Sequence, residues 1–95
     1  MSMEIPEEYR RKLAGCYNGD GQLLRYPSKR PLRPYILARM AEHFECGRDY
    51  TEKEVNAIIN ANIAFADIEL IRRELFEAGL LDRLRDGSRY WKPEK

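Results

Sequence analysis

Ninety-five residues are enough for one domain, and a chain of this size buries roughly 60–68% of its unfolded surface in a single modest core. The sequence is 43% hydrophobic and 35% charged, with six Tyr, three Phe and one Trp and a net charge of +1, which excludes a disordered or strongly polyionic chain. Two cysteines thirty positions apart and one histidine, His43, cannot supply the four or so ligands of a structural zinc site, so no metal is expected.

The opening MSMEIPEEYRRK contains acidic residues and lacks an apolar segment, so no secretory signal is expected. No apolar run is long enough for a membrane span. A cytoplasmic location with reduced thiols follows as the expectation. The first element is a short helix: Pro6 suits a first helical turn, Glu7 and Glu8 sit at its positive end, and Gly15 can close it. Tyr17–Leu23 has tight-turn chemistry at its centre and is expected to join two short extended pieces. The acidic spacing of a calcium loop is absent from it. Residues 1–26 thus form a helix-and-turn extension, and residues 27–95 the main domain.

Tyr26–Pro34 is a basic connector with three prolines, expected to be extended and stiff. Within residues 24–39 there are five bases and no acid, whereas residues 40–71 carry a net charge of −5. A helix is expected at about 34–44, burying Ile36, Leu37, Met40, Ala41 and Phe44. Gly47 ends it, and Arg48–Tyr50 can form a very short strand. Thr51-Glu52-Lys53-Glu54 spells a capping box for a second helix running to about Asn60, with Val55, Ile58 and Ile59 inward. Ala61–Ala66 reads as a loop. Asp67 caps a third helix that ends near Ala78-Gly79 and buries Ile68, Ile71, Leu75 and Ala78. A hairpin closes the chain: Leu80–Arg85, an Asp86-Gly87 turn, then Ser88–Lys92.

This order predicts an α+β winged helix-turn-helix: three core helices and a C-terminal β-hairpin wing, preceded by the short helix and turn. Residues 67–78 would then enter a major groove, and residues 80–92 would reach toward backbone or minor groove. The candidate nucleic-acid contacts are Lys29, Arg30 and Arg33 of the connector, Arg73 of the third helix, and Arg83, Arg85, Arg89 and Lys92 of the wing, because such groups neutralise phosphates and release counterions. The third helix also presents Glu69 and Glu77, each spaced i, i+4 from Arg73, and Arg72 is placed to pair with an acid of the core. Two blander alternatives stand beside these contacts. Tyr90 and Trp91 could simply pack on the core, and the connector could be a strap neutralised by Glu52 and Glu54. DNA is the leading partner; a homodimer or a regulator protein is the alternative, motivated by the acid-bearing third helix and the apolar loop around Ile63 and Phe65. No cofactor, membrane or small-molecule substrate is suggested. His43 reads as a structural residue late in a helix, and neither a glycine-rich phosphate loop nor an HExxH motif occurs, so catalysis is not expected.

From Tyr17 to Lys92 the chain resembles the bacterial family known as domain of unknown function 2087. The resemblance is carried by Tyr17–Leu23, Pro27-Ser28-Lys29-Arg30, Arg33, Tyr50–Asn56, Asp67, Arg72–Leu75, Gly79–Arg83 and Asp86–Trp91. It implies a winged-helix-like domain, found alone or attached to helix-turn-helix regulators, for which a nucleic-acid-binding role is suggested. Two departures bear on that role. Pro31 and Pro34 interrupt a more continuous basic run, and Ala61–Ala66 is more apolar than in relatives.

Overall fold

Glu7–Ala14 forms α1, with Pro6 just ahead of it and both acids in its first turn. A computed structural model describes residues 4–94; residues 1–3 and 95, at the ends of the two expected divisions, lie outside the described residues. Tyr17 and Leu23 then pair antiparallel across the Asn18–Gly21 turn, as the turn chemistry requires.

The connector departs from expectation. It is extended only as far as Lys29, then winds into a 3-10 turn at Arg30–Leu32 that leads into α2, Arg33–Ala41. Pro31 and Pro34 each fall in the first turn of their helical segment, where the missing N–H has no partner to lose and the fixed φ is already helical. The α-helix stops at Ala41, three residues early. Looser i→i+3 bonds from His43 and Phe44 carry the chain on, which keeps Phe44 buried while His43 is exposed.

After Gly47, in the left-handed region at φ 77°, β1 occupies Asp49–Tyr50. The helix α3, Glu52–Ala61, begins with the full capping box, and α4, Ile68–Glu77, begins with the Asp67 carboxylate accepting the Leu70 N–H. Gly79, at φ 77°, ends α4 in a Schellman arrangement: Leu80 N–H reaches Leu75 O (2.9 Å) and Gly79 N–H reaches Phe76 O (3.0 Å). That turn lifts Ala78 off the core, so the expected inward position is exposed, and Leu80 and Leu81 take its place.

Strands β2 (Asp82–Arg83) and β3 (Tyr90–Trp91) pair antiparallel with Arg83 opposite Tyr90; β1 joins the other side of β3, giving the order β1-β3-β2. The register is the one an Asp86-Gly87 turn implies, but the loop differs. Leu84 N–H bonds Arg89 O across four residues, and only Gly87 has a positive φ. Asp86 avoids the left-handed region because its carboxylate accepts the Ser88 N–H, holding the turn from the side chain. The fold is therefore α+β, four α-helices with a small three-stranded antiparallel sheet. One core unites them, including Leu13, Cys16 and Leu23 from before the connector and Val55, Ile59, Ile71, Leu75 and Leu81 from beyond it. Among the described residues no helix is long and apolar enough to cross a membrane.

Candidate nucleic-acid interface

The eight candidate bases do not form one surface. Pairing of Arg83 with Tyr90 puts both on the sheet face turned toward α3 and α4. There Arg83 lies over the ring of Phe76 at 4.8 Å, and a cleft of about 210 Å³ joins Arg83 to Arg73 of α4. Arg72 is drawn inward instead. It donates to the Asn56 side chain and stands 4.0 Å from Glu52, an exposed acid rather than one of the core. The expected Glu69–Arg73 and Arg73–Glu77 ion pairs are not formed among the described residues. Exposed i, i+4 pairs are worth only a few tenths of a kcal/mol, so hydration competes with them on equal terms. Arg85 is exposed in the hairpin loop, where its carbonyl accepts from Arg83 at 3.3 Å.

Other candidates make contacts within the fold. The Lys92 ammonium donates to the carbonyls of Ala41 (3.0 Å) and Phe44 (3.3 Å), satisfying the end of α2 and complementing its dipole. Arg89 stands 3.5 Å from Asp49 and lies over Trp91. Arg33 donates to the Pro27 carbonyl at 2.9 Å and covers the Tyr26 ring. For the wing's aromatics the core alternative holds at Tyr90, which is buried with its hydroxyl donating to Glu52 at 2.9 Å; Trp91 is half-buried.

The connector is divided by its bend. Arg30 and Arg33 line a groove with Tyr26, Glu74 and Glu77, so the acids that accompany them come from α4. Glu52 and Glu54 are engaged elsewhere, Glu52 with Tyr90 and Arg72 and Glu54 with the Thr51 amide and Arg48. Within that groove the Tyr26 hydroxyl donates to Glu74 at 2.9 Å, and burial together with that carboxylate pushes its pKa well up. Burial, then Glu52, raises the Tyr90 pKa.

Lys29 points the other way, toward α1. It shares a cavity with Arg11, Lys12 and Arg25, and no acid lines it. Interaction with Lys12, which lines the same cavity and carries the same charge, lowers the Lys29 pKa. Arg11, Lys12 and Arg25 are not among the contacts expected from the sequence. The acid-free run 24–39 signalled Arg25, but only the packing of α1 against the connector brings in Arg11 and Lys12.

These features define a small α+β domain with basic groups distributed among several clefts. The chain belongs to the bacterial family described as "uncharacterized protein conserved in bacteria (DUF2087)", which it matches over residues 22–92. No curated protein and no solved structure matches the chain.

Proposed function

We propose that this chain is a DNA-binding domain of the winged-helix kind, acting in transcription regulation in the cytoplasm, with α4 and the β2–β3 hairpin as its contact face. Helix, short strand, capped helix, second capped helix and hairpin follow one another in the order of that class, with β1 laid against the hairpin. The observation that carries the reading is the cleft shared by Arg73 and Arg83: the exposed base of α4 and the base of the wing flank Phe76, with Arg85 at the loop beyond. Arginine is suited to this place, because its planar fork contacts phosphate bidentately and can read a guanine edge. Lys92, Arg89 and Arg33 contribute by fixing the scaffold rather than by touching the duplex.

The test is fluorescence anisotropy with a short random duplex over a series of salt concentrations. Affinity is expected to fall linearly with salt on logarithmic axes as counterions are released. Arg73→Ala and Arg83→Ala are each expected to cost about 1–3 kcal/mol of binding, whereas Arg33→Ala lowers stability more than affinity. Absence of binding at low salt sinks the proposal. Phe76 and Leu84, 37% and 40% exposed, favour a second reading in which the same region docks a second copy or a regulator protein. In the loop that first suggested it, Ile63 is buried and Phe65 is half-buried against the core. Sedimentation in the same buffer separates the two: a concentration-dependent dimer without duplex binding selects the second.

A further inference from the structure

The cavity between α1 and the connector has the chemistry of an anion site. Cys16, Pro27 and Leu32 are buried at its floor, and Arg11, Lys12, Arg25 and Lys29 stand exposed around it. Its walls are fixed by two backbone bonds, Leu24 N–H to Cys16 O at 2.7 Å and Leu32 N–H to Lys29 O at 3.1 Å, and by the Arg33 side chain donating to the Pro27 carbonyl. The other clefts that hold basic groups also hold carboxylates: Glu52 and Glu69 beside Arg73 and Arg83, Glu74 and Glu77 beside Arg30, Asp49 and Glu94 beside Arg89. This cavity has four cations and none.

Bases near the end of a helix often serve its dipole, and Arg11 and Lys12 in the last turn of α1 gain that stabilisation. The dipole does not account for Arg25 and Lys29, which come from a different segment and line the same cavity. Cations gathered around one cavity repel, and an anion among them turns that repulsion into charge-assisted hydrogen bonds.

We propose that Lys12 and Lys29, flanked by Arg11, Arg25 and the Ser28 hydroxyl, bind a phosphate group. The volume of about 410 Å³ admits a phosphate with part of the molecule that bears it, within the usual range of small-ligand sites. The phosphate can belong to a nucleic-acid backbone or to a small phosphorylated compound. The recognition chemistry is the same for both. It does not rest on the α4–hairpin reading, because the cavity lies between α1 and the connector.

The test follows the lysine side-chain resonances of the full chain by NMR while inorganic phosphate or pyrophosphate is added, with chloride at matched ionic strength as the reference. Saturable shifts at Lys12 and Lys29 are expected, with the Lys29 titration midpoint moving upward when phosphate is bound. Lys12→Gln combined with Lys29→Gln is expected to weaken phosphate binding by about tenfold or more, as loss of hydrogen bonds to a charged group implies, while Lys53→Gln on α3 leaves it unchanged. Shifts no larger than those with chloride, or equal weakening by Lys53→Gln, overturn the proposal. A random duplex in the second arm identifies the source. Movement of the same resonances, with affinity lost in the double glutamine variant, assigns a backbone phosphate; pyrophosphate binding with those resonances still under duplex assigns a small phosphorylated ligand. Failure of duplex binding alone defeats the DNA reading and leaves the phosphate arm standing.

Discussion

Thr51 holds the start of α3 from both directions. Its hydroxyl accepts the Glu54 N–H at 3.1 Å, and its own N–H donates to the Glu54 carboxylate at 2.8 Å. The second bond favours the ionised carboxyl and holds the Glu54 pKa below its ordinary value, with Arg48 adding to the effect. A carboxyl depressed in the folded state contributes stability that is complete above its unfolded pKa and disappears as pH falls through the folded one. Thr51→Ala is therefore expected to lower unfolding free energy by about 1 kcal/mol at neutral pH, measured by urea denaturation. Glu54→Gln should flatten the acid side of the stability profile, and an unchanged acid limb would count against this assignment. The same bond matters beyond α3, because Glu52, one residue past the cap, anchors both Tyr90 of the hairpin and Arg72 of α4.

At the scale of elements, that anchoring makes the hairpin loop sensitive to small changes. Gly87 sits at φ 76°, and a methyl group there would stand 3.3 Å from the Glu52 carboxylate that receives the Tyr90 hydroxyl. Gly87→Ala combines left-handed strain of about 1–2 kcal/mol with displacement of that carboxylate. The expected result is a lower melting temperature together with a changed near-ultraviolet signal from Trp91; a variant as stable as the parent would mean the loop relaxes freely. Elements whose signals are local were legible in the sequence. The Thr51 box, the Asp67 cap, the Gly79 stop and the stripe Ile71–Leu75 each depend on residues within five positions of one another. The candidate site was legible only in part, because the fate of a basic side chain is decided by distant groups. Lys92 finds carbonyls about fifty positions away, and Lys12 and Lys29 line one cavity although they belong to different segments. Charge runs record how many bases a segment carries; tertiary contacts determine which of them the fold consumes.

For the whole molecule, the segment before the connector has a structural task. Leu23 is fully buried, its N–H donates to Asn62 O at 2.8 Å and its carbonyl accepts from Ala64 N–H at 2.7 Å, pairing it with Ile63 in the loop that delivers the chain to Asp67 and α4. Leu13 and Cys16 pack in the same core, while Arg11, Lys12 and Arg25 furnish most of the basic cavity. A chain beginning at residue 27 would lose about 3–6 kcal/mol from the two leucines alone, against a total of about 5–15 kcal/mol for a typical domain. It would also leave the Asn62 carbonyl and Ala64 N–H without their partners. The expected outcome is loss of a cooperative thermal transition, read by circular dichroism and calorimetry. Leu23→Ala in the full chain should cost about 2–5 kcal/mol and lower the melting temperature by at least about 8 °C on the usual scaling for a domain of this length. A shortened chain melting cooperatively within about 4 °C of the parent, roughly 1 kcal/mol at this size, would show that α4 is positioned without Leu23. The DNA and phosphate readings could then be separated by truncation alone, since that chain would keep Arg73 and Arg83 while lacking Arg11, Lys12 and Arg25.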